Sequence, residues 1–150
     1  MLCGDFNAQV GKLSEVSNVH GRVLAAIPAL HEPRRVVRDS TNNAGRLLVD
    51  LAAVFQCVIA TGRAPGDDGQ PTCFKEKGSS RPDHVLLSSE LFKAVRNASI
   101  NKNMRPDQCD HCAISMFFNI NDTACNHVDW ALKPEHVCKP GGRGSKLSLK

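Results

Sequence analysis

Apolar residues at Ala44, Leu47, Leu48, Leu51, Ala52 and Phe55 follow the spacing of a single helix face. This predicts an amphipathic helix over 44–55, capped by Asn42 or Asn43, with those six side chains turned to the core. The run Cys57-Val58-Ile59-Ala60-Thr61 that follows reads as a buried strand. Pro65-Gly66-Asp67-Asp68-Gly69 makes 62–71 a long polar loop. Further along, the pattern predicts a short strand around 72–74, a strand over 84–87, a helix over 90–96 capped by Ser88 or Ser89, a strand near 98–102 and a last strand over 113–119. Residues 12–38 are polar and contain Pro28 and Pro33, so they are expected to be mostly loop. The alternation of helix and strand is that of an α/β fold.

Alternating apolar patterns stop after about Asp122, which predicts a folded unit over 1–122 and a tail over 123–150 that is first Cys/His-containing and then basic. The Pro/Gly-rich composition of 140–150 predicts a flexible end. No apolar run approaches the ~20 residues that a bilayer helix needs, so no membrane partner is expected. With 41% hydrophobic and 23% charged residues, the 150-residue chain has an ordinary globular balance. Basic and acidic residues cancel up to Leu132, and the net charge of +4 arises from Lys133 onward. A neutral body lacks the basic stripe of a protein that binds nucleic acid by charge alone. The start Met1-Leu2-Cys3-Gly4-Asp5 lacks a secretory pattern, and the seven cysteines are odd in number. Both point to reduced thiols in a nuclear or cytoplasmic protein that is not secreted.

Three strings carry residues suited to chemistry. In Gly4-Asp5-Phe6-Asn7-Ala8, an extended backbone would send Asp5 and Asn7 to one face and Phe6 to the other. A carboxylate beside an amide suits phosphoryl chemistry, since one holds a cation or a proton and the other donates to a phosphate oxygen; a capped turn is the alternative. In Ser79-Ser80-Arg81-Pro82-Asp83-His84-Val85-Leu86-Leu87-Ser88, an acid stands at the mouth of a strong strand, and on its own it reads equally as a turn residue. His84 is expected to be a strand residue whose replacement costs little in rate. In Cys109-Asp110-His111-Cys112, His111 is a candidate general base that needs a carboxylate to fix its tautomer.

GDFNA, NNAGRLL, PTCF, SSRPDHVLLS and CDHCAI stand in an order and spacing that resembles the endonuclease/exonuclease/phosphatase superfamily, closest to the endonuclease domains of LINE-type retrotransposons. The resemblance covers residues 2–120. It implies a four-layer α/β sandwich of DNase I type, of which this chain would be the C-terminal half, largely one mixed sheet with covering helices. It also implies Mg²⁺- or Mn²⁺-dependent hydrolysis of DNA phosphodiesters. By resemblance Asp5 orients the attacking water or assists the leaving group, Asn7 holds the scissile phosphate, Asp83 pairs with the catalytic His111, and Asp110 assists metal binding.

Two departures temper that implication. The first half of the family fold, with its metal-binding glutamate, has no counterpart here, so the chain alone is expected to be weakly active or inactive. Its sheet would expose an apolar face and call for a complementing half or self-association. Cys109 also replaces the family's usual serine. It creates Cys109-x-x-Cys112, which with Cys125, His127, His136 and Cys138 spells a possible zinc module, while a catalytically inactive remnant or interaction module is the remaining alternative.

Overall fold

The computed structural model describes residues 1–17, 24–25, 27–76, 78–101 and 109–119, and these form a mixed α/β structure with several small antiparallel sheets. Helix α1 (Asn43–Val54) begins at Asn42, whose side-chain oxygen accepts from the Gly45 N–H at 2.7 Å and from the Gln9 N–H at 3.0 Å. The amide NH₂ of Asn42 donates to the Asn7 carbonyl at 2.9 Å. One capping side chain thus ties the start of α1 to the turn that follows the GDFNA aspartate.

The buried stripe of α1 is Gly45, Leu48, Val49, Ala52 and Ala53. Leu47, Leu51 and Phe55, expected in the core, are instead 69%, 41% and 69% exposed. The cause is steric. A Cβ on Gly45 would lie 1.9 Å from the Gln9 carbonyl oxygen, so the helix meets the 9–10 backbone through glycine and turns its small residues inward.

Strands β1 (Leu2–Asp5), β2 (Cys57–Ile59) and β5 (Asp83–Ser88) form a sheet in the order β1-β5-β2, with both outer strands antiparallel to β5. Alternation along β5 sorts its side chains onto two cores. Leu86 joins Ile59 and packs under α1 with Leu48, Val49 and Ala52. Val85 and Leu87 join Val58 and Ala60 on the other face, where Leu24, Ile27, Leu30, Phe92, Val95 and Ala98 cover them. The apolar face expected to lie open is therefore covered by the chain itself.

That cover comes in part from β6 (Val95–Asn101) and β7 (Ala113–Phe118), an antiparallel pair with Ile100 opposite Ile114 and Ala98 opposite Met116. The expected single mixed sheet is replaced because β6 and β7 lie over Val85 and Leu87 instead of extending the β1-β5-β2 ladder. Strands β3 (Cys73–Lys75) and β4 (Gly78–Ser80) form a second two-stranded ladder. Helix α2 (Ser89–Lys93), capped by Ser88, is shorter than expected: buried Val95 pairs with Phe118, which draws Arg96 into β6.

The described residues of the polar segment 12–38 include the 3₁₀ turns Glu15–Ser17 and Pro28–Leu30, and they are held by buried charge. Glu15 accepts from Arg34 at 3.0 Å, from Arg63 at 3.3 Å and from the Ile59 N–H at 2.7 Å. Arg34 also donates to the carbonyls of Ile59 at 2.8 Å and Thr61 at 2.5 Å. Burial lowers the Arg34 pKa to about 10, which leaves the guanidinium charged at neutral pH. No helix among the described residues is long and apolar enough to cross a membrane. The tail over 123–150, with Cys125, His127, His136 and Cys138, lies outside the described residues.

Candidate active site

Asp5 ends β1 directly opposite Asp83, the first residue of β5. The antiparallel register alone therefore places two carboxylates side by side at one end of the sheet. The chain then leaves β1 in a tight turn: the Asp5 carboxylate accepts the Asn7 N–H at 2.8 Å, and Asn7 adopts φ 51°, the left-handed region that asparagine tolerates. Asp5 and Asn7 are close because of this side-chain turn and not by the strand alternation expected for them. Asn7 is exposed.

His111 reaches the same place along another route. The Phe74 N–H donates to the Asp110 carbonyl at 2.8 Å and the Cys112 N–H donates to the Thr72 carbonyl at 2.7 Å, with Cys73 and His111 as bridge partners. Residues 110–112 thus run along β3, which sets the imidazole over the start of β5. His111 Nδ1 lies 2.9 and 3.1 Å from the two oxygens of Asp83. An Nδ1–H donating to that carboxylate leaves Nε2 with a free lone pair. Nε2 in turn lies 3.8 Å from Asp5 Oδ2 and 3.7 Å from Asp110 Oδ1. Three carboxylates thus surround one half-buried imidazole.

Thr72 completes this arrangement and was not singled out by sequence reasoning. Its hydroxyl donates to Asp83 Oδ2 at 2.5 Å, and the residue is fully buried. The PTCF string contains it, but the contact of its hydroxyl with Asp83 is made only in the folded chain, where the Thr72 N–H donates to the Ser80 carbonyl at 3.0 Å. Asp110 has two further neighbours, Lys75 Nζ at 3.5 Å and Cys73 Sγ at 3.6 Å, both from Oδ2. Desolvation pushes the Asp110 carboxyl up, but its own backbone N–H, Lys75 and His111 together outweigh that and hold it below the ordinary carboxylate range. Burial, then Asp110, pushes the Cys73 thiol up, which keeps it protonated at neutral pH.

His84, one residue beyond Asp83, faces the other way. It is 1% exposed, with Nδ1 at 2.7 Å from the Thr61 hydroxyl and Nε2 at 2.8 Å from the Ala8 carbonyl. Burial lowers its pKa to about 4, so the ring is neutral and structural. Its replacement is therefore a matter of stability, and it stands apart from the cluster around His111.

Two groups of side chains among the described residues have ligand atoms close enough to share a cation: Asp5, Asp83 and His111, and Cys73, Asp110 and His111. Hard carboxylate oxygens suit Mg²⁺, whereas the thiol of Cys73 does not. Asp5 shares its group with Asp83 and His111, and Asp110 shares its group with Cys73 and His111, so the oxygens of Asp5 and Asp110 do not stand together in one set of ligand atoms. Neither group includes Cys109 or Cys112, so the described part of the suggested zinc module does not converge on other ligands. No family model, curated protein or solved structure matches this chain.

Proposed function

We propose that the chain carries the catalytic histidine half of a divalent-metal-dependent phosphodiesterase of the endonuclease/exonuclease/phosphatase type, acting on DNA. The observation that supports this most is the His111–Asp83 pair at 2.9 Å with Asp5 and Asp110 both beside the free Nε2. Such a histidine, oriented by one acid and flanked by two others, can take a proton from an attacking water and hold it as a stabilised imidazolium. Asp5 is positioned to orient that water by accepting its second hydrogen bond. The exposed Asn7 amide, next to Asp5, is the donor for a non-bridging phosphate oxygen.

Mg²⁺ or Mn²⁺ held at Asp110, or by Asp5 beside Asp83 and His111, would supply Lewis-acid stabilisation of the charge that develops on the phosphate. With so few carboxylates at either place and no counterpart to the glutamate that the resemblance implies, turnover by the chain alone is slow. A complementing sheet would meet the chain at the exposed edge strand β1, since both faces of the β1-β5-β2 sheet are covered by the chain itself.

Nicking of supercoiled plasmid by the purified chain tests the proposal. Slow conversion to open circle in Mg²⁺ or Mn²⁺, stopped by EDTA, is the expected result. Intact plasmid after incubation with a chain shown to be folded contradicts it and leaves the inactive interaction module in its place.

A further inference from the structure

The pairing of β3 with residues 110–112 brings a sulfur to the imidazole of His111. Cys73 and His111 stand directly opposite each other in an antiparallel bridge, so their side chains leave on the same face. Asp110 lies between them: its Oδ2 is 3.6 Å from Cys73 Sγ and its Oδ1 is 3.7 Å from His111 Nε2. One ligand atom from each of the three residues lies within 4.8 Å of the other two. Around a tetrahedral ion with bonds of about 2.0–2.3 Å, an oxygen stands roughly 3.3–3.5 Å from a nitrogen or sulfur ligand. The three side chains therefore need to close by only a few tenths of an ångström to hold an ion.

The donors select which ion. Thiolate, imidazole and a single carboxylate suit Zn²⁺, whereas Mg²⁺ takes oxygen ligands. The ring of His111 is also set as a metal ligand is. Its Nδ1–H faces Asp83, which Thr72 holds in turn, so Nε2 carries the lone pair beside Asp110. A carboxylate behind the far nitrogen is the usual support of a zinc-bound imidazole. The other group of possible ligands, Asp5, Asp83 and His111, has no sulfur, and its Asp83 is the acid that already fills this supporting role. Cys73 is buried, while the side chains of Asp110 and His111 are 42% and 25% exposed, so an ion enters from their side. Lys75, the remaining neighbour of Asp110 Oδ2, has an exposed side chain that can swing clear.

We propose that Cys73, Asp110 and His111 form a Zn²⁺ site with its fourth position open to water. The ion replaces the thiol proton of Cys73, which leaves to solvent. Where His111 acts as proposed above, zinc takes the lone pair that the attacking water needs, so the two uses of Nε2 exclude each other; the site itself does not rest on that reading.

Titration of the full, reduced chain with Co²⁺ as a spectroscopic stand-in for Zn²⁺ tests it. A saturable thiolate-to-cobalt charge-transfer band, removed by stoichiometric Zn²⁺, is expected. Cys73→Ser should abolish the band. Asp110→Asn, at a partly exposed position, should weaken Co²⁺ binding at least about tenfold, the low end of what even an indirect contact to a metal contributes. The variant Cys109→Ser/Cys125→Ser/Cys138→Ser, which removes three thiols of the Cys/His pattern toward the C-terminus, should keep it. Any of five results overturns the proposal: no charge-transfer band, a band that Zn²⁺ does not displace, a band that persists in folded Cys73→Ser, unchanged affinity in folded Asp110→Asn, or a band lost in the triple variant. None of these outcomes depends on whether the chain nicks DNA.

Discussion

His84 and His111 show how surroundings decide the role of a histidine. His111 is half-buried, with one nitrogen against Asp83 and the other toward Asp5 and Asp110. His84 is sealed, with both nitrogens in use. Replacing His84 with alanine leaves a cavity and removes the partners of the Thr61 hydroxyl and Ala8 carbonyl; urea unfolding should show a loss of about 2–4 kcal/mol. The same ring makes stability depend on pH. Its folded pKa of about 4 is below the ordinary value of 6.5, so between those values the unfolded chain binds a proton that the folded chain does not. Stability is complete above pH 6.5, falls as the pH drops toward 4 and then levels, with a total loss on the order of 3 kcal/mol. Urea midpoints measured from pH 7 to 4 check this. A flat profile, or one that rises toward acid, would show that the ring is not sealed.

Among the elements, α1 carries the clearest lesson about close approach. Gly45→Ala would ordinarily favour a helix, yet here the added Cβ meets the Gln9 backbone, and a net loss of about 2–3 kcal/mol is expected in urea unfolding. A neutral or stabilising effect would mean that the helix can back away from the 9–10 segment. Elements with their own apolar run were legible along the chain: α1, β5 and β7 sit within about two residues of their expected bounds, since local pattern and tertiary burial agree there. The rotation of α1 was not legible, because it depends on a contact between residues 45 and 9. Nor was β4, whose Gly78-Ser79-Ser80 has no apolar alternation and exists through backbone pairing with β3. In the site, the strings around Asp5, Asp83 and His111 pointed to residues that do converge. The left-handed Asn7 and the Thr72 hydroxyl required the tertiary structure, since one depends on a side-chain turn and the other on a contact with Asp83 made 11 positions away.

For the whole molecule, buried charge does work usually left to apolar packing. Glu15 joins Arg34 and Arg63 and binds the irregular 12–38 segment to the end of β2, and this segment supplies Leu24, Ile27 and Leu30 to the core beneath the sheet. Glu15→Gln leaves two buried guanidiniums without their shared counter-charge, with an expected cost of about 3–5 kcal/mol in urea unfolding. An unchanged midpoint would mean that the carbonyls around Arg34 and Arg63 suffice. The two faces of β5 then divide the molecule: the acids and His111 on one, the sealed His84 on the other. Whether the first face is a phosphodiesterase site turns on His111 and its acid. The most direct measurement compares metal-dependent plasmid nicking by the wild-type chain with that of His111→Ala and Asp83→Asn, each confirmed as folded. A loss of at least about 100-fold in both variants is predicted, the low end of what a positioned acid–base group contributes. Nicking that persists at the wild-type rate in either variant would contradict the role given to the pair.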